Sequence, residues 1–212
     1  MKKFSFKGIK FFSGTYHEIK KEFDRGGVLV APAASALANI YADKKYYSAL
    51  KQSNIAILDS GFFCILLRIF KLKKVKKLSG YLFLKTFLEN FRNQDKIFFI
   101  DPSKKSNLIN SIYLKSQKIF NFNSYIAPNY NGHFFDLELI KLLKKYKPRY
   151  IIINLGGGSQ EPLAIFIKKK IKFKSSIMCT GAALAFMTGE QAPINRFIDK
   201  IYLGWATRIL WN

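Results

Sequence analysis

A carboxylate, a glycine run and a glutamine are the residues of this chain best placed to do chemistry. In "AILDSGF" Asp59 stands directly after an apolar run of strand length. A carboxylate at the end of a buried strand can take a proton from a substrate hydroxyl as a general base. The same residue can equally cap the helix that follows. In "IIINLGGGSQEP" β-favouring residues run into Gly156, Gly157 and Gly158, with Pro162 beyond. A glycine loop between strand and helix is the setting in which backbone N–H groups cradle a phosphate, and also the setting of a plain tight turn. Glu161 stands where a dinucleotide fingerprint needs its third glycine, and no Gly-Lys-Ser/Thr follows, so neither standard phosphate loop is present. A turn does not require Gln160 and Glu161, whereas a sugar or diphosphate site uses amides and backbone donors. The run "KLKKVKK" at 71–77 follows soon after Asp59 and suits a diphosphate or an anionic head group, or a solvated face.

Six apolar runs must position these groups: "GVLVA" (27–31), "IAIL" (55–58), "KIFFI" (96–100), "SYIA" (124–127), "YIIINL" (150–155) and "SSIMCT" (175–180). They are continuously apolar, as strands of a parallel sheet covered on both faces must be. Helix signals lie between them. "DPSKKSNLINSIYLKSQK" opens on a start signal, and "DLELIKLLKKYK" places Leu137, Ile140, Leu143 and Tyr146 on one stripe. The expectation is an α/β, Rossmann-like, doubly wound and mostly parallel sheet over 1–192, with a C-terminal helix over 193–212 packed on or near the site. Ligands of such folds bind at the carboxyl ends of the strands. That rule marks "APAAS" (31–35), "DSG" (59–61), "DPS" (101–103), "GGGSQEP" (156–162) and "GAA" (181–183).

The formal net charge of +23, from 36 Lys and Arg against 13 Asp and Glu, attracts nucleic acid, anionic membrane or phosphorylated substrates. A compositional bias towards Lys, Ile, Asn and Phe would yield it as well. No helix-turn-helix, zinc or aromatic-platform signature accompanies the charge, so no nucleic-acid partner is expected. His17 and His133 are the only histidines and carry no ligand spacing around them, so no metal is expected. Cys64 and Cys179 read as small buried hydrophobes in a reducing compartment. The opening "MKKFSFKGIKFF" has a signal peptide's charge but no continuous apolar region. "IAILDSGFFCILLRIF" is interrupted by Asp59 and Arg68 and too short to span a bilayer. A soluble, cytoplasmic chain able to lie on a membrane is expected. Ile194, Phe197, Ile201 and Trp205 recur at helical spacing and could bury against their own domain, lipid or a second copy of the chain.

The motifs in order, "APAAS", "DSGF", "KLSG", "NGHF", "LGGGSQEP", "GAALAFMTGEQAP" and "GWATR", resemble those of the bacterial WecG/TagA/CpsF glycosyltransferases, glycosyltransferase family twenty-six. The resemblance implies an inverting, metal-independent transfer of a hexose or N-acetylhexosamine from a UDP-sugar. The implied acceptor is a polyprenyl-diphosphate-linked sugar at the inner face of the cell membrane, in cell-surface polysaccharide synthesis. It implies Asp59 as general base, Gln160 at the sugar or diphosphate with Glu161 beside it, and Gly156, Gly157, Gly158 and Gly181 near the nucleotide. The positions of the family's Thr-x-Asn, of its Arg-x-x-Gly arginine and of its C-terminal helix arginine fall on Ala31 and Ala33, Lys77 and Arg208. Alanines at 31 and 33 bring no side-chain hydrogen bond, which fits a different donor sugar or a non-catalytic relative that binds nucleotide-sugar or serves as a scaffold.

Overall fold

The computed structural model describes residues 1–69 and 75–191. One sheet of eight strands runs through them in the order β1-β2-β4-β3-β8-β7-β5-β6. These are β1 (Lys2–Phe6), β2 (Ile9–Ser13), β3 (Gly27–Val30), β4 (Ile55–Ile57), β5 (Ile97–Asp101), β6 (Phe122–Ile126), β7 (Tyr150–Ile153) and β8 (Ser176–Cys179). Every neighbouring pair is parallel except β1 with β2. The doubly wound α/β fold expected from the six apolar runs is therefore the observed one. The C-terminal helix expected over 193–212 lies outside the described residues.

The antiparallel hairpin of β1 and β2 was not among the expected strands. Phe4 and Phe6 alternate with polar residues, and Lys7 and Gly8 both take positive φ, 49° and 73°, as a two-residue hairpin turn requires. Phe4 stacks on Phe11, with ring centroids 5.6 Å apart, so the opening segment is built into the core.

Helices cover both faces of the sheet. One face carries α2 (Ala34–Ala38), α3 (Lys44–Gln52), α4 (Gly61–Ile69), α7 (Leu137–Tyr146) and α8 (Gln160–Lys170), packed on Val28, Val30, Ile151, Ile153, Ile177 and Cys179. The other carries α1 (Tyr16–Phe23), α5 (Gly80–Glu89), α6 (Lys104–Ser116) and α9 (Ala183–Thr188), packed on Leu29, Ile55, Ile57, Phe99, Ile152 and Met178. Strand alternation sends consecutive side chains to opposite layers, which is why both layers can be apolar along one continuous run. Cys64 and Cys179 are buried free thiols, and burial pushes Cys64 up to about 11. Two expected details shift. The stripe of α7 that meets the core is Leu139, Ile140 and Leu143, while Leu137, the first residue after the Asp136 cap, is 58% exposed. In "DPS" the cap is Ser103, and Asp101 instead ends β5.

Connections decide where a crevice opens. The chain leaves β3 and β7 towards α2 and α8 on one face, but leaves β8, which lies between them, towards α9 on the other. Loops that part to opposite faces leave a gap at the carboxyl edge of the sheet, the place where open α/β sheets bind ligands.

Candidate active site

Asp59 stands two residues past β4, half-buried, at the edge of that gap. Its Oδ1 accepts a 2.7 Å hydrogen bond from the backbone N–H of Gly80, the first residue of α5. The cap function that Asp59 could have served is thus partly real, but for a distant helix. Its own helix, α4, is capped by Ser60, whose Oγ accepts from the N–H of Phe63 at 3.2 Å. A second bond, from Leu78 N–H to the Leu58 carbonyl at 3.2 Å, zips the "KLSG" segment against the tip of β4. Lys77, partly buried, is thereby carried on the segment that closes over Asp59.

Gly80 must be glycine for space. A Cβ there would lie 3.0 Å from the Ala31 Cβ and 3.3 Å from the Thr180 Cβ. Ala31, just beyond β3, supplies a methyl to this contact and no side-chain hydrogen bond. Ala33 is the N-cap of α2 and makes no side-chain cap bond, leaving a five-residue helix without its usual acceptor.

On the opposite face of the sheet the glycine loop meets the start of α8. Gly156 and Gly157 are exposed, and a Cβ on either would meet none of the described residues within 4 Å. Only Gly158, at φ +87°, needs glycine for its backbone. Its N–H is not open to a phosphate, because it donates to Glu161 Oε2 at 2.8 Å. Gln160, 3% exposed, uses both ends of its amide: Oε1 accepts from Gly181 N–H at 3.0 Å, and Nε2 donates to Glu161 Oε1 at 3.0 Å. Gln160 therefore ties the loop after β8 to the start of α8 and fixes Gly181, at φ +61°, across the gap.

Glu161 is 1% exposed, and burial raises its carboxyl to about 7 against the pull of the N–H donors around it. It is buried among Asp43, Tyr46 and Cys179. The Asp43 charge raises it further, and burial followed by the Glu161 charge pushes the Tyr46 hydroxyl well up.

The structure thus brings Asp59, Ala31, Gly181, Gln160 and Glu161 together around the gap between β3 and β8, with Lys77 on the segment that closes it. Arg208 and residues 71–74 of the basic run lie outside the described residues. In the "NYNGHFF" loop Tyr130 packs on Phe134, with ring centroids 5.5 Å apart, and donates to Asp136 Oδ2 at 2.8 Å, as Tyr125 of β6 does at 3.1 Å. A groove of about 310 Å³ between α3 and α8, lined by Lys44, Lys45, Ser48, Gln52, Pro162 and Ile165 among others, includes none of the gap residues.

Sequence reasoning missed the polar row beside Ala31. Ile153 pairs with Cys179, Val30 with Cys179, and Asp101 lies one step past the pair of Ile100 with Ile153. One residue further on, Ala31, Thr180, Asn154 and Asp101 form a row across four adjacent strands. The ladder bonds from Ala31 N–H to the Cys179 carbonyl (3.2 Å) and from Asn154 N–H to the Ile100 carbonyl (2.9 Å) keep that register. Asp101 is buried and accepts from the amides of Asn154 (2.7 Å), Asn110 (2.8 Å) and Asn107 (2.8 Å). Polar residues directly after apolar runs were the available signal, but which of them share a row depends on strand order.

Among the described residues no group of three or more His, Cys, Asp or Glu is placed to hold a metal ion, and no helix is long and apolar enough to cross a membrane. The chain finds no match among curated proteins. The family described as glycosyl transferase WecG/TagA/CpsF matches residues 5–212. With nearly its whole length matched, this chain belongs to the WecG/TagA/CpsF family of glycosyltransferases, the family of cell-surface polysaccharide synthesis that its ordered motifs resemble.

Proposed function

We propose that this protein moves a hexose or N-acetylhexosamine from a UDP-sugar to a polyprenyl-diphosphate-linked sugar, with inversion and without a metal. The observation that carries the reading is Asp59: a partly exposed carboxylate at the carboxyl edge of the sheet, fixed by the Gly80 N–H and facing the gap that Gln160 and Gly181 border. In the proposed step the acceptor hydroxyl gives its proton to Asp59 as its oxygen attacks the anomeric carbon. The bond from that carbon to the diphosphate breaks on the opposite side, and UDP leaves with the electron pair. General-base assistance of this kind is worth roughly 10²- to 10⁴-fold in rate.

Charge on the leaving diphosphate has to be met by cations or backbone donors. Lys77 sits on the segment bonded to Asp59, and the excess of 36 Lys and Arg over 13 Asp and Glu supplies further cations, Arg208 included. The exposed backbone at Gly156 and Gly157, with no side chain of the described residues over it, suits close approach of the nucleotide. The same net charge favours the anionic inner face of a membrane, where a lipid-linked acceptor is presented.

A non-catalytic relative that binds nucleotide-sugar is the second reading. It is favoured by Ala31 and Ala33, which give the gap no side-chain hydrogen bond. One experiment separates the two: UDP-glucose and UDP-N-acetylglucosamine are incubated with a polyprenyl-diphosphate-sugar in vesicles, and the lipid product is weighed by mass spectrometry. A product heavier by one sugar supports transfer. Saturable UDP-sugar binding with no product from any acceptor supports the second reading.

A further inference from the structure

Among the described residues, two buried oxygens in the row beside Ala31 have no hydrogen-bond partner: Oγ1 of Thr180 and Oδ1 of Asn154. Thr180 is 9% exposed and follows β8; Asn154 follows β7, its immediate neighbour in the sheet. Residues level with each other on adjacent strands lie about 4.8 Å apart. Met178 and Ile152, two residues earlier, face the layer of α5, α6 and α9, so Thr180 and Asn154 face it too. Both therefore stand on one side of the sheet, on the floor of the same gap as Asp59 and Gly80. The Thr180 Cβ flanks the position of the Gly80 Cβ at 3.3 Å.

The Asn154 amide is not free to turn. Its Nδ2 is committed to the Asp101 carboxylate, which the Asn110 and Asn107 amides fix in turn. With Nδ2 held by Asp101 on the β5 side, Oδ1 is the end of the amide left without a partner. Asn154 Oδ1 can only accept, while a threonine hydroxyl can donate or accept. A buried acceptor and a buried hydroxyl on level residues of adjacent strands, both unpaired, cost free energy that a bound group can recover.

We propose that Thr180 and Asn154, braced by Asp101, form a specificity-determining subsite for one ring hydroxyl of the donor substrate. The Thr180 hydroxyl donates to the substrate oxygen, and that oxygen donates its own proton to Asn154 Oδ1. Asp101 is a positioning residue and does not touch the substrate. The subsite rests on the reading of the gap as a nucleotide-sugar site. The hydroxyl can belong to the pyranose or to the ribose, and the arms of the test separate the two.

The test uses the full chain, with UDP, UDP-glucose and UDP-N-acetylglucosamine as probes in titration calorimetry. Thr180→Val keeps the shape and removes the hydroxyl; Thr180→Ser keeps the hydroxyl. An unpaired hydroxyl lost from the free protein leaves the melting temperature equal or higher in Thr180→Val. The same variant binds the cognate nucleotide-sugar about tenfold more weakly, with Thr180→Ser close to wild type. Weakening confined to a UDP-sugar assigns a pyranose hydroxyl, and equal weakening for UDP assigns the ribose. Unchanged affinity of Thr180→Val for all three probes overturns the subsite and leaves the space to a trapped water. Lower melting without loss of affinity overturns it as well, because the hydroxyl is then structural. A wild-type chain that binds none of the probes overturns the nucleotide-sugar reading itself, and the subsite with it.

Discussion

Glu161 offers a test of the gap that needs no substrate. Its carboxylate is 1% exposed, and burial moves its pKa from 4.5 to about 7. A carboxyl whose folded pKa lies above its unfolded value takes up a proton on folding. Its contribution to stability is fully present below about pH 4.5 and is lost as pH rises through about 7. At 1.36 kcal/mol per pKa unit, the loss across that window is about 3 kcal/mol. Glu161→Gln removes the titration while keeping an acceptor for the Gly158 N–H. Protonated Glu161 and glutamine both give up the second acceptor that Gln160 Nε2 now uses, so the two proteins should match within about 1 kcal/mol near pH 4.5. At pH 8 the variant should be about 2–3 kcal/mol more stable. Urea unfolding of both proteins at intervals from pH 4.5 to 8 measures the difference directly, and groups titrating alike in both cancel. Parallel stability profiles across that range would refute the reasoning, because Glu161 would then ionise as freely in the folded chain as in the unfolded one.

Three further outcomes follow from particular contacts. Gly80→Ala forces a methyl to 3.0 Å from Ala31 and 3.3 Å from Thr180, and should cost about 1–3 kcal/mol by chemical denaturation. Ala31→Gly in the same chain should recover part of that cost, and a strictly additive double variant would deny the contact. Gly156→Ala and Gly157→Ala meet no atom of the described residues within 4 Å and should leave unfolding midpoints within about 0.5 kcal/mol of wild type while raising the KM for the donor. Unchanged KM in both would remove the nucleotide from this loop. In α7, Leu139→Ala should cost about 2–5 kcal/mol and Leu137→Ala under about 1, since the first is fully buried and the second 58% exposed; equal losses would reverse the assigned face.

How much of this was legible before the fold was known depends on the range of the interactions involved. Five of the six strands could be read because a parallel strand buried on both faces leaves an unbroken apolar run, as in "YIII" of β7, while β6 is a half-exposed edge strand. The β1–β2 hairpin escaped because its alternation spans only five residues a side and its turn, Lys7–Gly8, lacks an Asn-Gly or Asp-Gly signal. The helix α1 starts on a reciprocal capping box of Thr15 and Glu18, which the reading of apolar runs passed over.

At the site, Asp59 and the glycine loop stand out because local context marks a strand end. Their partners do not stand out locally. That Asp59 caps the helix beginning at Gly80, or that Gln160 reaches Gly181, is decided by contacts 21 residues apart in each case. The row of Thr180, Asn154 and Asp101 needs the strand order β8-β7-β5, which no local pattern encodes. Ala31 reads in sequence as a lost polar group; in the fold it is also the methyl that packs against Gly80.

Asp59 carries more of the proposed chemistry than any other residue, and Asp59→Asn isolates its part. The amide oxygen of the substituted side chain can still accept the Gly80 N–H, so α5 stays docked while the basicity is gone. Transfer from a UDP-sugar to a polyprenyl-diphosphate-sugar, followed by mass, should fall at least about a hundredfold in kcat, with donor affinity within about twofold of wild type. An Asp59→Asn protein that turns over at the wild-type rate would contradict the account.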